Sequence, residues 1–212
     1  MRQGDWFDGP NKLEQLSREL LWFPGMNVLE VGATPSSFEL AKCLSLKFFH
    51  LEMSAKQLEL GREWALTQEV NAKAALWEER EMAFEAWPTM DALVLRNVCE
   101  VPMEALKQLL GKLSCPGSLL LAWPVRLKEV SASWAKMWSQ PLWTPNELLY
   151  QLRGLGLESM RFECRPFVPE GQSSEALLQG LEGATEKDVL LTAHALVVAT
   201  FLNDGEAGST LW

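Results

Sequence analysis

The stretch Asn27–Ala41, NVLEVGATPSSFELA, sets three signals in order: an apolar run broken by one acid, a glycine turn, and a segment with helical spacing. A strand, a turn and a helix in that order are the opening unit of sheets in which apolar strands alternate with helices. The turn GATPSS has one glycine, Gly32, where turns that cradle a nucleotide usually have two or three. Glu30 stands inside the strand between Leu29 and Val31, and an acid in a buried strand needs a partner.

Working outward, residues 11–23 place Leu13, Leu16, Leu20 and Phe23 on one helical face, and Pro24-Gly25 ends the run. Strand-like runs follow at Asn27–Val31, Lys47–Leu51, Ala74–Trp77, Ala92–Leu95 and Ser118–Ala122, separated by helical segments Ser36–Leu46, Ala55–Gln68 and Met103–Leu113. Apolar strands alternating with helices imply a parallel sheet covered on both faces, and right-handed crossovers make it doubly wound. After Trp123 comes a tryptophan-rich segment, 124–143. A helix over Pro145–Leu155 follows, capped by Thr144 and closed by Gly156, and then strands at Glu158–Cys164 and Ala193–Phe201. Between those strands, 169–188 is a glycine- and glutamate-rich insertion expected to be mobile, and 203–212 is expected to be a tail.

The chain has 212 residues, 48% of them hydrophobic, enough for one well-filled core, so a single domain over 1–212 is expected. A formal net charge of -9 repels phosphate backbones and anionic lipid, which argues against nucleic acid and membrane as partners. No segment approaches the roughly 20 apolar residues of a membrane span, and the polar start MRQGDWFDGPNKLEQ predicts no secretory leader. Four scattered cysteines without a CxxC pair, and two histidines, predict no metal site and a cytoplasmic protein with free thiols.

In a parallel sheet the ligand crevice lies at the carboxyl ends of the strands. Three acids converge there: Glu30 in the first strand, Glu52 closing the second at the distance from Gly32 expected of a ribose-binding acid, and Glu78 or Glu79 after the third. A dinucleotide needs glycines where this turn has Thr34, Pro35 and Ser37, and a phosphate-cradling loop needs a lysine that is absent until Lys42. S-adenosylmethionine has no phosphate; acids suit its ribose hydroxyls and ammonium.

These segments together resemble the class I S-adenosylmethionine-dependent methyltransferases, most closely their small-molecule branch, from Pro24 to Phe201. VLEVGATPSSFELA is similar to the family's first motif, FFHLEMSAKQLELGREWA to its second, and WEEREMAF to the loop whose acid takes the adenine amino group. MDALVLRNVCEVP resembles the fourth-strand motif, ALKQLLGKLSCPGSLLLAWP the fifth strand with its helix, and TPNELLYQLRGLGLESMRFE the last helix and sixth strand. The resemblance implies a Rossmann-like sandwich with a seven-stranded, mostly parallel sheet whose last strand is antiparallel. Residues 1–24 would then be an N-terminal cap, and 124–143 would face the substrate.

Carried over to this chain, the resemblance implies that Glu30 sits near the methionine ammonium and that Gly32, Ala33 and Thr34 lie against the methionine part. Glu52 would bind both ribose hydroxyls, Met53 would pack on adenine, and Glu78 or Glu79 would accept from its amino group. The backbone near Arg96 and Asn97 would complete the pocket. Thr34 and Ser36 replace the second and third motif glycines, which narrows the turn. Val101 stands where many relatives have a histidine, so no general base is assigned. His50, inside the second strand, reads as a packed core residue.

Trp6, Trp123, Trp134 and Trp138 are candidates for an aromatic wall around the acceptor, and packing under a covering helix is the alternative. The leading expectation is methyl transfer to a small-molecule acceptor by in-line displacement, with a homodimer allowed. A catalytically inactive binding or assembly protein is the alternative, favoured by the altered turn and opposed by the three retained acids.

Overall fold

The computed structural model describes residues 12–96, 101, 103–138, 141–157, 159–166, 178–179 and 181–201. Trp6, Asn97, the tail 203–212 and residues 169–177 of the insertion lie outside the described residues.

The strands are β1 (Asn27–Val31), β2 (Lys47–Glu52), β3 (Ala72–Leu76), β4 (Met90–Leu95), β5 (Leu113–Arg126), β6 (Ser159–Pro166) and β7 (Thr192–Phe201). They form one seven-stranded sheet in the order β3-β2-β1-β4-β5-β7-β6. The first five run parallel to one another, and β7 runs antiparallel between β5 and β6. This is the expected α/β sandwich with its antiparallel last strand. The strand order reverses at β1, which has β2 on one side and β4 on the other, and in sheets of this kind the ligand crevice lies at such a switch point, beyond the carboxyl ends of β1 and β4.

The helices are α1 (Lys12–Glu19), α2 (Pro35–Cys43), α3 (Ala55–Thr67), α4 (Arg80–Ala86), α5 (Met103–Leu110), α6 (Ala132–Ala135), α7 (Pro145–Gly154) and α8 (Glu186–Leu190). Their starts follow from local chemistry. Ser54 Oγ accepts from the Gln57 N–H at 3.3 Å to open α3. At α7, Thr144 Oγ1 accepts from the Glu147 N–H while a Glu147 carboxylate oxygen accepts from the Thr144 N–H at 2.7 Å, a closed capping box. Pro35 opens α2, where its fixed φ and missing N–H do no harm.

Alternate residues of each central strand feed opposite layers. Leu29, Leu93 and Leu95 pack with Leu106 and Leu109 of α5 and Leu148 and Leu152 of α7. Val28, Ala92 and Val94 pack on the other face with Leu13 and Leu16 of α1 and Phe38 of α2. Burying each such leucine fully contributes about 1.5–3 kcal/mol, which gives the middle of the sheet its stiffness. That stiffness fixes the crevice at its end.

Several boundaries differ from the pattern in the sequence. β3 starts at Ala72 rather than Ala74, and α4 follows it without a periodic signal in its seven residues. β5 runs from Leu113 to Arg126, well past Ser118–Ala122, because β7 pairs with it continuously from Gly117 to Arg126. Helix α5 therefore ends at Leu110. At the end of the insertion, α8 forms because Asp188 turns back to accept from the Ser131 N–H at 2.7 Å and the Thr185 N–H at 2.8 Å.

Candidate functional site

The first corner of the crevice joins the β1 turn to the end of β2. Gly32 adopts φ 78°, which its lack of a Cβ permits, and its N–H donates to the Leu51 carbonyl at 3.0 Å. The next N–H, from Ala33, donates to Glu52 Oε1 at 3.0 Å, and His50 Nδ1 lies 3.0 Å from the same oxygen. A carboxylate only accepts, so the hydrogen of this pair is assigned to His50 Nδ1. Glu52 is buried, yet both contacts fall on Oε1, so Oε2 is the atom left to face a ligand. His50 lies wholly inside, against α3, where a Cβ on Gly61 would come within 2.5 Å of its ring. Gly61 therefore makes the room that lets the imidazole lie beneath the acid.

A second corner lies at the ends of β1 and β4. Glu30, opposite His50 in the strand register, is 1% exposed. The Arg96 guanidinium, just past β4, pairs with Glu30 Oε1, and Ser37 Oγ donates to the same oxygen at 2.9 Å. Ser37 Oγ in turn accepts from Arg96 at 3.0 Å and from the Thr34 N–H at 3.1 Å. Thr34 Oγ1 and Ser36 Oγ are 2.9 Å apart, so these two hydroxyls bond to one another across the turn.

The other sequence candidates are spread more widely. Met53 packs half-buried against the core beside Glu52. Glu78 and Glu79 are exposed in a short 3-10 turn after β3, and a Glu79 oxygen accepts from the Leu76 N–H at 3.4 Å. Trp123 is fully buried on β5 and stacks on Trp143 with ring centres 5.3 Å apart. Trp134 and Trp138 sit in a separate cluster with Leu142 and Val189, where Trp134 Nε1 donates to Thr192 Oγ1 at 2.8 Å.

Three contributors were not assigned from the sequence: the side chain of Arg96, the hydroxyl of Ser37 and the imidazole of His50. His50 and Glu52 are two apart on one strand and so share a face, which is a readable signal. Arg96 was assigned through its backbone alone. His194 is buried on β7, and burial pushes its pKa down to about 4. No group of three His, Cys, Asp or Glu side chains suited to a metal occurs among the described residues, and none of their helices is long and apolar enough to cross a membrane.

No family model matches the chain, and no curated protein does. Solved structures match over nearly its whole length. The 4+2 cyclase SpnF superposes with a TM-score of 0.71 at 16% identity, covering 95% of this chain and 87% of its own. A methyltransferase from Thiobacillus denitrificans, in complex with S-adenosyl-L-homocysteine, gives 0.62 at 16% identity over 92% of each chain. Phosphoethanolamine N-methyltransferase 2 of Haemonchus contortus, in complex with S-adenosyl-L-methionine, gives 0.68 at 13% identity over 90% of this chain and 52% of its own. The chain thus has the Rossmann-like fold of the class I methyltransferases. One of these neighbours is named a cyclase, so chemistry has to be argued from the site.

Proposed function

We propose that this protein binds S-adenosylmethionine through its adenosine part and transfers the methyl group to a small-molecule acceptor. The observation that supports this best is the Glu52 corner. A buried acid is pinned through one oxygen to the turn N–H of Ala33 and to His50, which leaves the other oxygen for ribose hydroxyls. A carboxylate kept at a strand end under such constraint is preorganised to accept from a ligand. Met53 would pack on adenine, and Glu78 or Glu79 would accept from its amino group. Gly32 and the backbone near Arg96 and Asn97 would line the remainder.

When bound, the sulfonium supplies a methyl group that is already electrophilic. The chain then has to align the acceptor in line with it and to exclude water. Neither histidine is presented to an acceptor as a base, since His50 is wholly buried against Gly61 and burial holds His194 neutral. The Trp123–Trp143 stack is the best-placed aromatic wall for the acceptor, since Trp143 is only half-buried. Titratable acceptors that ionise unaided, or amines present in part as the free base, fit a site of this kind. The thiols of Cys43 and Cys164, neither of them in a disulfide, support a cytoplasmic setting.

A second reading, a catalytically inactive binding protein, is favoured by the Glu30 corner. There the acid that the resemblance places near the methionine ammonium is already neutralised by Arg96. Calorimetric titration with S-adenosylmethionine and S-adenosylhomocysteine, on the wild type and Glu52→Ala, separates the readings from failure of both. Binding that Glu52→Ala weakens supports a nucleoside site, and methyl transfer to an acceptor then distinguishes enzyme from binding protein. Absent or millimolar binding to the wild type contradicts the enzyme.

A further inference from the structure

We infer that the Glu30–Arg96–Ser37 cluster closes the amino-acid end of the crevice, so that the site selects ligands by their adenosine part and discriminates little among 5′-thioadenosines that differ in what their sulfur bears. This rests on the nucleoside reading given above and adds to it the ligand class.

At this end the charges are already matched within the protein. Glu30 is the acid available to an ammonium group there, and the Arg96 guanidinium pairs with it while both side chains are almost wholly buried, 1% and 4% exposed. An arriving ammonium meets a neutral pair. To gain from Glu30 it would have to displace Arg96 and strand a buried guanidinium, and separating a buried pair is strongly unfavourable. The donors follow the same pattern. Ser37 Oγ gives its hydrogen to Glu30 and receives the Thr34 N–H, so the amide that could have met a ligand carboxylate at the start of α2 is already engaged. The Thr34 and Ser36 hydroxyls are engaged with one another in the same turn. At the Glu52 corner the protein uses one oxygen and leaves the other, and selection falls to that end.

Calorimetric titration of the wild-type protein with adenosine, 5′-methylthioadenosine and S-adenosylhomocysteine tests this directly. The expected result is binding of all three, with the last two within about fivefold of each other. S-adenosylhomocysteine binding more than about fivefold tighter than 5′-methylthioadenosine overturns the closure while leaving the nucleoside site standing. Failure of all three, adenosine included, overturns the nucleoside site and the closure with it. In Arg96→Gln, Glu30 is released and S-adenosylhomocysteine is expected to gain about tenfold over 5′-methylthioadenosine. An unchanged ratio in that variant, shown folded by its thermal transition, contradicts the inference. If the variant does not fold, the wild-type ratio decides alone.

Discussion

Glu30 and Glu52 are both buried acids, on neighbouring strands and on one face of the sheet, yet the protein uses them in opposite ways. Glu30 is met by a full positive charge from Arg96 and a hydroxyl from Ser37. Glu52 is met by an amide N–H and an imidazole, both on a single oxygen. The first arrangement neutralises a carboxylate; the second orients one. Burial and position in the sheet therefore do not by themselves mark a binding acid. What the neighbours leave unused does.

The largest way to break this comparison is to remove one half of the neutralised pair. Arg96→Met leaves Glu30 buried without a counter-charge and is expected to cost about 3–5 kcal/mol in urea denaturation. The double variant with Glu30→Gln should recover much of that loss. A single-variant cost below about 1 kcal/mol would mean the corner is wet rather than sealed.

Acid sharpens the comparison from outside the crevice. His194 has a folded pKa of about 4 against 6.5 for the unperturbed side chain, so the unfolded chain binds more protons between those values. Stability is full above pH 6.5 and falls as the pH drops towards 4, by roughly 3 kcal/mol for this one group. In His194→Gln that slope should flatten; a slope kept unchanged would place the acid sensitivity elsewhere, in the crevice acids first.

A smaller effect bears on the Glu52 corner alone. In Gly61→Ala, the new methyl meets His50 at 2.5 Å, and overpacking should cost about 1–3 kcal/mol despite the helix preference for alanine. The imidazole then shifts from Glu52, and adenosine affinity should fall about tenfold, the loss of one charge-assisted hydrogen bond. Unchanged affinity in a destabilised protein would give His50 a packing role only. Smallest of all, Thr144→Ala removes the α7 cap, costing about 1 kcal/mol while leaving ligand binding untouched. Calorimetry on that variant serves as the control for indirect effects.

Much of this was legible in the sequence, for physical reasons that can be named. Strands β1, β2 and β4 are predominantly apolar because they are buried on both faces, and Thr144 with Glu147 announces α7 by pairing residues three apart. Glu30 stands out as an acid where the pattern demands apolar side chains, and Glu52 as the acid that closes the second strand at a telling distance from Gly32. The partners were harder to read. Arg96 meets Glu30 across 66 residues and Ser37 reaches back from α2, contacts that only the closed sheet creates. Glu78 and Glu79 look equivalent in sequence and are both exposed, so the side chains do not single one out. The length of β5 was hidden because its last residues are set by the antiparallel pairing with β7, not by any local pattern.

The measurement that tests the account most directly compares adenosine with 2′,3′-dideoxyadenosine on the wild type and on Glu52→Gln. If Glu52 Oε2 receives the ribose hydroxyls, the wild type should bind adenosine about tenfold or more tightly than the dideoxy compound, and Glu52→Gln should largely abolish that preference. Equal binding of the two nucleosides by the wild type, or a preference that survives Glu52→Gln, would contradict it.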